Sequence, residues 1–559
     1  MVVFVDVKLN LNSLSLAQTF LKEINSEVKF SDRGYGKVEF MLGQVLLLIK
    51  YVIGKKIAKL LNSNLNVEQF TSNDLLGDKH LKFNVVEPLT DIQAKILKSL
   101  LKVVCYQQDS NKKVEEFIIQ EGQENMILSL FVEAIQFETC LHYTDTREKT
   151  FDLVNIHENI KNITAALSKT SFFDGKDLNA RENYVIYLFY CLKDSEIQTK
   201  IANKDSVESY DENESDVSED ETAYSNSQSN MTNTGIALSN HILNLTTITL
   251  LPSKSFENLW ESLHFDTNIK QKLFNYATIS LKLGKYISKS GKNQQLTNNN
   301  SNRLILLHGP PGTGKTTLCK ALFQKISMRC QINDATLIID NQGSGILIEL
   351  SCSKIFSRWF GESAKNLEIL FTEIKNIIKH YNSMGKFVCL LIDEVEAIAY
   401  SRTDLLNKNE TTDSIRVVST LLTLLDSLRT FENILTLATS NLIGSLDAAF
   451  VDRADWIFYV NNPSERGITL ILDSSIRELL NLNILSSPLG NGTLNDTQYQ
   501  EILKTIAHTC FAKNMSGRIL KKLPIKCISE YFFDLPVKLD DFLLAFAHTV
   551  VKLSDKESV

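Results

Sequence analysis

Three glycines, three threonines and a lysine fall within nine consecutive residues, Gly309-Pro310-Pro311-Gly312-Thr313-Gly314-Lys315-Thr316-Thr317. In that order they can do one chemistry well. The glycines let the backbone turn tightly and aim its N–H groups at phosphate oxygens, Lys315 reaches the β and γ phosphates of a nucleoside triphosphate, and the Thr316 hydroxyl goes to Mg²⁺. A chance glycine-rich turn would not need flanking elements of the right kind. Here an apolar run, Leu304 to His308, leads in, and Leu318, Leu322 and Ile326 lead out on one helical face. That helix would turn the positive end of its dipole toward the same anion.

Further along, the apolar run Phe387 to Ile392 ends in Asp393-Glu394. Asp393 is placed to hold Mg²⁺, usually through water, and Glu394 to polarise an attacking water as general base. Another apolar run closes on Thr439-Ser440-Asn441, where Asn441 could position that water or simply form a strand-end turn. In D-A-A-F-V-D-R-A-D, Asp447 reads as a turn residue and Arg453 as an arginine finger reaching a neighbouring subunit. In S-G-R-I-L-K-K-L-P, Gly517 and Arg518 open a helix from which Arg518 could close over the phosphates. Structural ion pairs are the other reading of both arginines. Arg358-Trp359-Phe360-Gly361 puts a cation and two bulky aromatics on a turn with no apolar partner pattern; the plain alternative is core.

The elements that must position these groups recur in a fixed rhythm. Apolar runs at Ile346 to Leu350, Phe387 to Ile392, Ile434 to Ala438 and Trp456 to Val460 alternate with helical periodicity, which predicts an α/β fold with a doubly wound parallel sheet covered on both faces. Ligands bind such sheets beyond the carboxyl ends of the strands, where most of the polar motifs fall. Beyond Pro463 the pattern is helical and predicts a C-terminal helical lid. Before the sheet, residues 1–195 read as an α+β domain, with a first strand at Val2 to Leu9 and helical periodicity at Leu14 to Ile24, Gly43 to Leu61, Ile92 to Cys105 and Glu124 to Phe137. His80, His142 and His157 have no neighbours there that would complete a metal site.

At 559 residues the chain exceeds a single core. The division expected is residues 1–195, a linker at 196–240, the sheet domain at 241–462 and the lid at 463–559. Asp205 to Glu221 holds nine carboxylates and no Lys or Arg, so the net charge of −7 is local and the rest is near neutral. That leaves no electrostatic footprint for nucleic acid, and direct nucleic-acid binding is not expected. The acidic segment cannot bury enough apolar surface to offset its ordering entropy, and disorder is expected. It serves as a spacer or, since Ser218 precedes Glu219-Asp220-Glu221, as a tether regulated by phosphorylation. The N-terminal residues lack the basic flank and apolar core of a signal peptide, and the run Phe40 to Ile49 is too short to span a bilayer. Nine cysteines with no C-x-x-C point to reduced thiols without a structural metal, and Cys389 in an apolar run reads as core.

Taken together, G-P-P-G-T-G-K-T, F-S-R-W-F-G-E-S, L-I-D-E-V-E, T-S-N, A-F-V-D-R-A-D and S-G-R-I-L-K-K-L-P resemble the AAA+ ATPases, and closely the pachytene-checkpoint family that remodels HORMA-domain proteins. Most AAA+ relatives carry R-P-G-R where this chain has Asp452-Arg453-Ala454-Asp455. The resemblance covers residues from about 246 to 559. It implies an ATP-hydrolysing homohexameric ring with ATP and Mg²⁺ as cofactors. Arg358, Trp359, Phe360 and Gly361 would form an aromatic pore loop that grips a threaded polypeptide, and a second loop would lie at Ser401 to Asp413. It further implies HORMA-domain partners on meiotic chromosomes, with spindle-checkpoint HORMA proteins as further candidates, a role in the meiotic checkpoint, and a nuclear, chromosomal location without a membrane. A clamp-loader or origin-recognition type of nucleic-acid ATPase is the alternative, and a scaffold without turnover a third reading.

Overall fold

The computed structural model describes residues 2–27, 38–61, 131–140, 184–192, 230–231, 237–238, 245–265, 267–290, 303–330, 344–352, 363–400, 412–486 and 496–556, with residues 98, 101, 128, 130 and 242 besides. By contact the chain divides into two units, Met1–Cys191 with Met328–Gln342, and Leu192–Ser327 with Gly343–Val559. The assignment of residues 328–342 to the first unit differs from the division expected from sequence.

In the first unit, β1 (Val2–Leu9) is followed by α1 (Leu11–Glu27) and α2 (Val38–Leu61), and then by β2 (Val132–Cys140) and β3 (Tyr184–Phe189). Strand β1 is central, antiparallel to β2 and parallel to β3. Its period of two sends Val3, Val5 and Val7 into one core with Leu14 and Leu21 of α1 and Val45 and Ile49 of α2. Lys8 on the other face is buried, and its ammonium meets Glu133 at 2.7 Å. The helical periodicity expected over Glu124 to Phe137 does not hold at its end. V-E-A-I-Q-F-E-T-C is a strand, with Phe137 opposite Val5 and Ile135 opposite Val7. Pairing with a strand more than a hundred residues away outweighs the local pattern. The stretch Ile92 to Cys105 and the three histidines lie outside the described residues, apart from Lys98 and Leu101.

The second unit opens with β4 (Asn230–Met231) and β5 (Ala237–Leu238), a short antiparallel pair inside the segment expected to be a disordered linker. The acidic run and Ser218 lie outside the described residues. There follow β6 (Thr246–Leu251), α3 (Ile269–Ser290), β7 (Leu304–His308), α4 (Lys315–Cys330), β8 (Gly345–Ser351), α5 (Ser363–Ser383), β9 (Phe387–Asp393), α6 (Thr412–Leu428), β10 (Ile434–Ser440), α7 (Ala448–Val451) and β11 (Trp456–Tyr459). The sheet order is β11-β7-β10-β9-β8-β6, parallel throughout except for the edge strand β6, which runs antiparallel to β8. Leu304 and Leu306 pack on one face with Leu367, Phe371 and Ile374 of α5. Ile305 and Leu307 pack on the other with Leu318 and Leu322 of α4, and Cys389 is in that core. Each central strand is buried on both faces, which is why these segments read as continuous apolar runs. The lid, α8 (Glu465–Asn481), β12 (Leu485–Ser486), α9 (Asp496–Ala512), α10 (Gly517–Tyr531), β13 (Val537–Lys538) and α11 (Leu539–Lys556), has a core of its own around Leu472, Leu503, Leu520 and Phe546. Among the described residues no helix is long and apolar enough to cross a membrane.

Candidate functional site

A cavity of about 390 Å³ lies beyond the carboxyl ends of β7, β9 and β10. Pro311 to Thr317 forms its floor, Asp393, Glu394, Thr439 and Asn441 one wall, and Gly517 and Arg518 of the lid the other. Leu263, Phe265, Pro463 and Ile471 supply an apolar end.

The floor has this shape because two glycines occupy places closed to other residues. Gly309 has φ of +148°, and a Cβ there would lie 2.1 Å from the Val460 carbonyl oxygen. Gly312 has φ of +79°, and its Cβ would come within 2.8 Å of the Ser516 hydroxyl. The loop then enters α4 at Lys315, so the first amides of a 16-residue helix, with about half a positive charge from its dipole, face the cavity. Lys315 is 6% exposed and donates to the carbonyls of Gly309 and Pro310, both at 2.8 Å, and to Asn441 Oδ1 at 2.9 Å. Burial pulls its pKa down, with Glu396 and then Asp393 acting against that pull. Thr313 turns its hydroxyl back to the Pro310 carbonyl.

Thr316 donates its hydroxyl to Asp393 Oδ1 at 2.8 Å. The Thr439 hydroxyl donates to the same oxygen and accepts the Glu394 N–H at 3.2 Å. Glu394 stands in the left-handed region, φ 53° and ψ 50°, with an exposed side chain on the cavity wall. One hydroxyl and one carboxylate oxygen converging beside a phosphate seat suit a hard cation that brings most of its ligands as phosphate and water. No cluster of three His, Cys, Asp or Glu that could hold a metal exists among the described residues.

Arg518 joins the cavity from α10, and its N–H donates to the Gly312 carbonyl at 3.1 Å. Arg453 does not line the cavity. Its Nε and Nη2 grip the two oxygens of Asp426 on α6 at 3.0 and 2.8 Å, and Nη1 donates to the Ala449 carbonyl. Within one chain the ion-pair alternative for Arg453 is therefore realised. The hydrogen bond from Arg453 is the main cause lowering the Asp426 pKa. Asp447 caps α7 by accepting the Ala449 N–H, and Asp455 accepts the Arg303 N–H at 2.6 Å and the Tyr276 hydroxyl at 2.9 Å. Asp455 thus fixes the chain where it enters β7. Arg358, Trp359, Phe360 and Gly361 lie outside the described residues, as does the second loop from 401 to 411; Thr412 and Asp413, expected in that loop, already belong to α6.

Sequence reasoning did not single out Thr439, Glu396, Asp426 or His264. Thr439 and Glu396 lay within the strings T-S-N and L-I-D-E-V-E, where a position one or two residues from a recognised group was a usable signal. Asp426 gave none, because its partner is 27 residues away.

Residues 305–462 match the family of ATPases associated with various cellular activities, AAA. The chain is 42% identical over 522 residues to pachytene checkpoint protein 2 of Saccharomyces cerevisiae, covering 92% of each chain. It is 34% identical over 314 residues to the pachytene checkpoint protein 2 homolog of Homo sapiens, covering 54% of this chain and 68% of that one. A solved structure of C. elegans PCH-2 aligns over 77% of this chain and 88% of that chain, at 25% identity and a TM-score of 0.49. The cavity and the 42% match over nearly the whole of both chains lead to one assignment: this chain is a nucleotide-binding AAA ATPase and belongs to the pachytene checkpoint protein 2 family.

Proposed function

We propose that the chain assembles into a homohexameric ring that uses ATP hydrolysis to thread and convert HORMA-domain proteins of meiotic chromosomes in the nucleus. The observation that carries this is the family match across 92% of both chains, which extends well outside the ATPase segment. The domain division proposed is a substrate- or adaptor-binding region up to residue 195, an acidic linker to 240, the large ATPase subdomain to 462 and the lid beyond.

In the cavity, the backbone amides from Gly312 to Thr317 and the Lys315 ammonium hold the phosphates. The base packs at the apolar end, against Leu263, Phe265 and Ile471. Thr316 and Asp393 would hold Mg²⁺, which supplies charge neutralisation at the β and γ phosphates. Glu394 takes the proton of the attacking water, and Asn441 orients that water. Lys315 exchanges its bonds to the Gly309 and Pro310 carbonyls for phosphate oxygens. Arg518 closes from the lid, and Arg453 leaves Asp426 to act in a neighbouring subunit. Trp359, with a large apolar face and few rotatable bonds, grips the substrate at low ordering cost, with Arg358, Phe360 and Gly361 around it.

Paired assays of Trp359→Ala test this reading. Basal ATP turnover should persist, because no nucleotide group is expected to touch the loop, while conversion of a closed HORMA domain, followed by ion exchange, and its stimulation of turnover should both be lost. Normal conversion by Trp359→Ala would remove the pore-loop role. Failure of the unaltered protein to convert any HORMA domain, with turnover stimulated by DNA instead, would overturn the proposed substrate class.

A further inference from the structure

Glu396 sits on the single helical turn Val395–Ala397 that follows the Asp393-Glu394 pair. One of its oxygens, Oε1, accepts both the backbone N–H of Asn441 at 3.1 Å and the side-chain Nδ2 at 3.0 Å. The other, Oε2, is shielded from solvent and has no hydrogen-bond partner among the described residues. A shielded carboxylate oxygen left without a partner is costly, and a residue kept at such a cost beside the cavity points to function.

The partners fix which way the Asn441 amide faces. A carboxylate only accepts, so the atom toward Glu396 must be the NH₂ group; an ammonium only donates, so the atom toward Lys315 must be the carbonyl oxygen. Both sides demand the same orientation. Asn441 therefore offers an acceptor to the phosphate seat, suited to Lys315 and to the O–H of an attacking water, and unsuited to donating to a phosphate oxygen.

We infer that Glu396 is a positioning residue for hydrolysis, which holds the Asn441 amide with its oxygen toward the reacting water. This rests on the reading of Asn441 as the group that orients that water. Glu396 does not line the cavity, so it acts through Asn441 and not on the nucleotide. Free to flip, the amide would present NH₂ groups to a water that must give up a proton, and misplaced catalytic groups typically cost on the order of tenfold to a hundredfold in rate.

The test uses the full-length protein with kcat measured by phosphate release and affinity by displacement of a fluorescent ATP analogue. Glu396→Ala should lower kcat about tenfold or more and leave affinity within about threefold. Glu396→Gln removes the charge and keeps an acceptor oxygen, and should recover most of the rate. In an Asn441→Ala background, Glu396→Ala should cost nothing further, since the group it positions is gone. Should Glu396→Ala not fold, Glu396→Asp, one methylene too short to reach Asn441, carries the same expectation. An unchanged kcat, a parallel loss of affinity, losses that multiply in the double variant, or a Gln variant as slow as Ala would each overturn the proposal. A slow Asn441→Ala beside a normal Glu396→Ala would sink Glu396 alone; a normal Asn441→Ala would sink the role of Asn441, and the proposal with it.

Discussion

Replacing Glu394 by Gln removes one basic oxygen from the cavity and leaves its floor, Lys315 and the Thr316–Asp393 pair in place. Loss of a general base costs about 10²–10⁴-fold in rate, so Glu394→Gln should bind ATP with nearly unaltered affinity and turn over at a hundredth of normal or less. Turnover within a few-fold of normal would move the base elsewhere. His264, on the rim, carries a pH signature: burial, then Lys270 and Lys521, hold its pKa below the ordinary 6.5. Burial and Lys315 do the same to His308. Below about pH 6.5 the unfolded chain therefore binds protons that the folded chain does not, so stability is full above that pH and declines as pH falls. The melting temperature should drop between pH 7.5 and 5.5, and His264→Gln should lessen the drop. An unchanged pH profile in that variant would show that His264 is protonated as readily in the folded state.

Among the elements, the turn from β7 into α4 is where one methyl group matters most. In Gly309→Ala the added Cβ meets the Val460 carbonyl 2.1 Å away, and that residue is tied to β7 by its N–H on the His308 carbonyl. Backbone cannot step aside as a side chain tip can. The variant should lose several kcal/mol, beyond the ~1–3 kcal/mol typical of a strained backbone position alone, seen as a lower urea midpoint. Gly444→Ala, with nothing within 4 Å of its Cβ, should stay within about 0.5 kcal/mol. This turn, the strand before it and the helix after it were legible in sequence because glycine spacing and apolar periodicity are local. So were β8, β9 and β10, whose two buried faces leave continuous apolar runs, and β11, an edge strand whose residues are apolar although only Phe458 is buried. Strand β2 was not legible as far as Phe137, because what makes it a strand is β1, opposite it across more than a hundred residues. The antiparallel direction of β6 and the pairing of Asn230–Met231 with Ala237–Leu238 are likewise matters of partners, not of composition. In the candidate site, motif residues with fixed offsets were visible and the groups that hold them were not. Glu396 and Asp426 act by reaching Asn441 and Arg453 across space.

In a ring of the kind proposed, Asp426 would have a part in how far Arg453 can travel. It accepts from Arg429 as well, at 2.8 Å, so departure of Arg453 would not strand the carboxylate. Transfer of Arg453 to a neighbour's cavity would then cost only the difference between two partly exposed ion pairs, each worth about 0–1 kcal/mol. Mixing experiments address this scale. Arg453→Ala and Lys315→Ala proteins, each inactive alone, should regain part of the turnover when combined in one ring, since some interfaces would pair an intact cavity with an intact finger. No recovery, in rings shown by native mass spectrometry to be mixed, would place the finger on another residue.

The left-handed backbone of Glu394 bears on what selection would do to this protein. A side chain held in that conformation costs roughly 1–2 kcal/mol, and glycine or asparagine would adopt it more cheaply. In a library screened only for survival at high temperature, Glu394→Asn or Glu394→Gly would be enriched, and the survivors would be heat-resistant proteins that hold ATP without splitting it. Only a screen that also demands hydrolysis would keep the acid, so residue 394 would sort the two kinds of selection from sequencing reads alone.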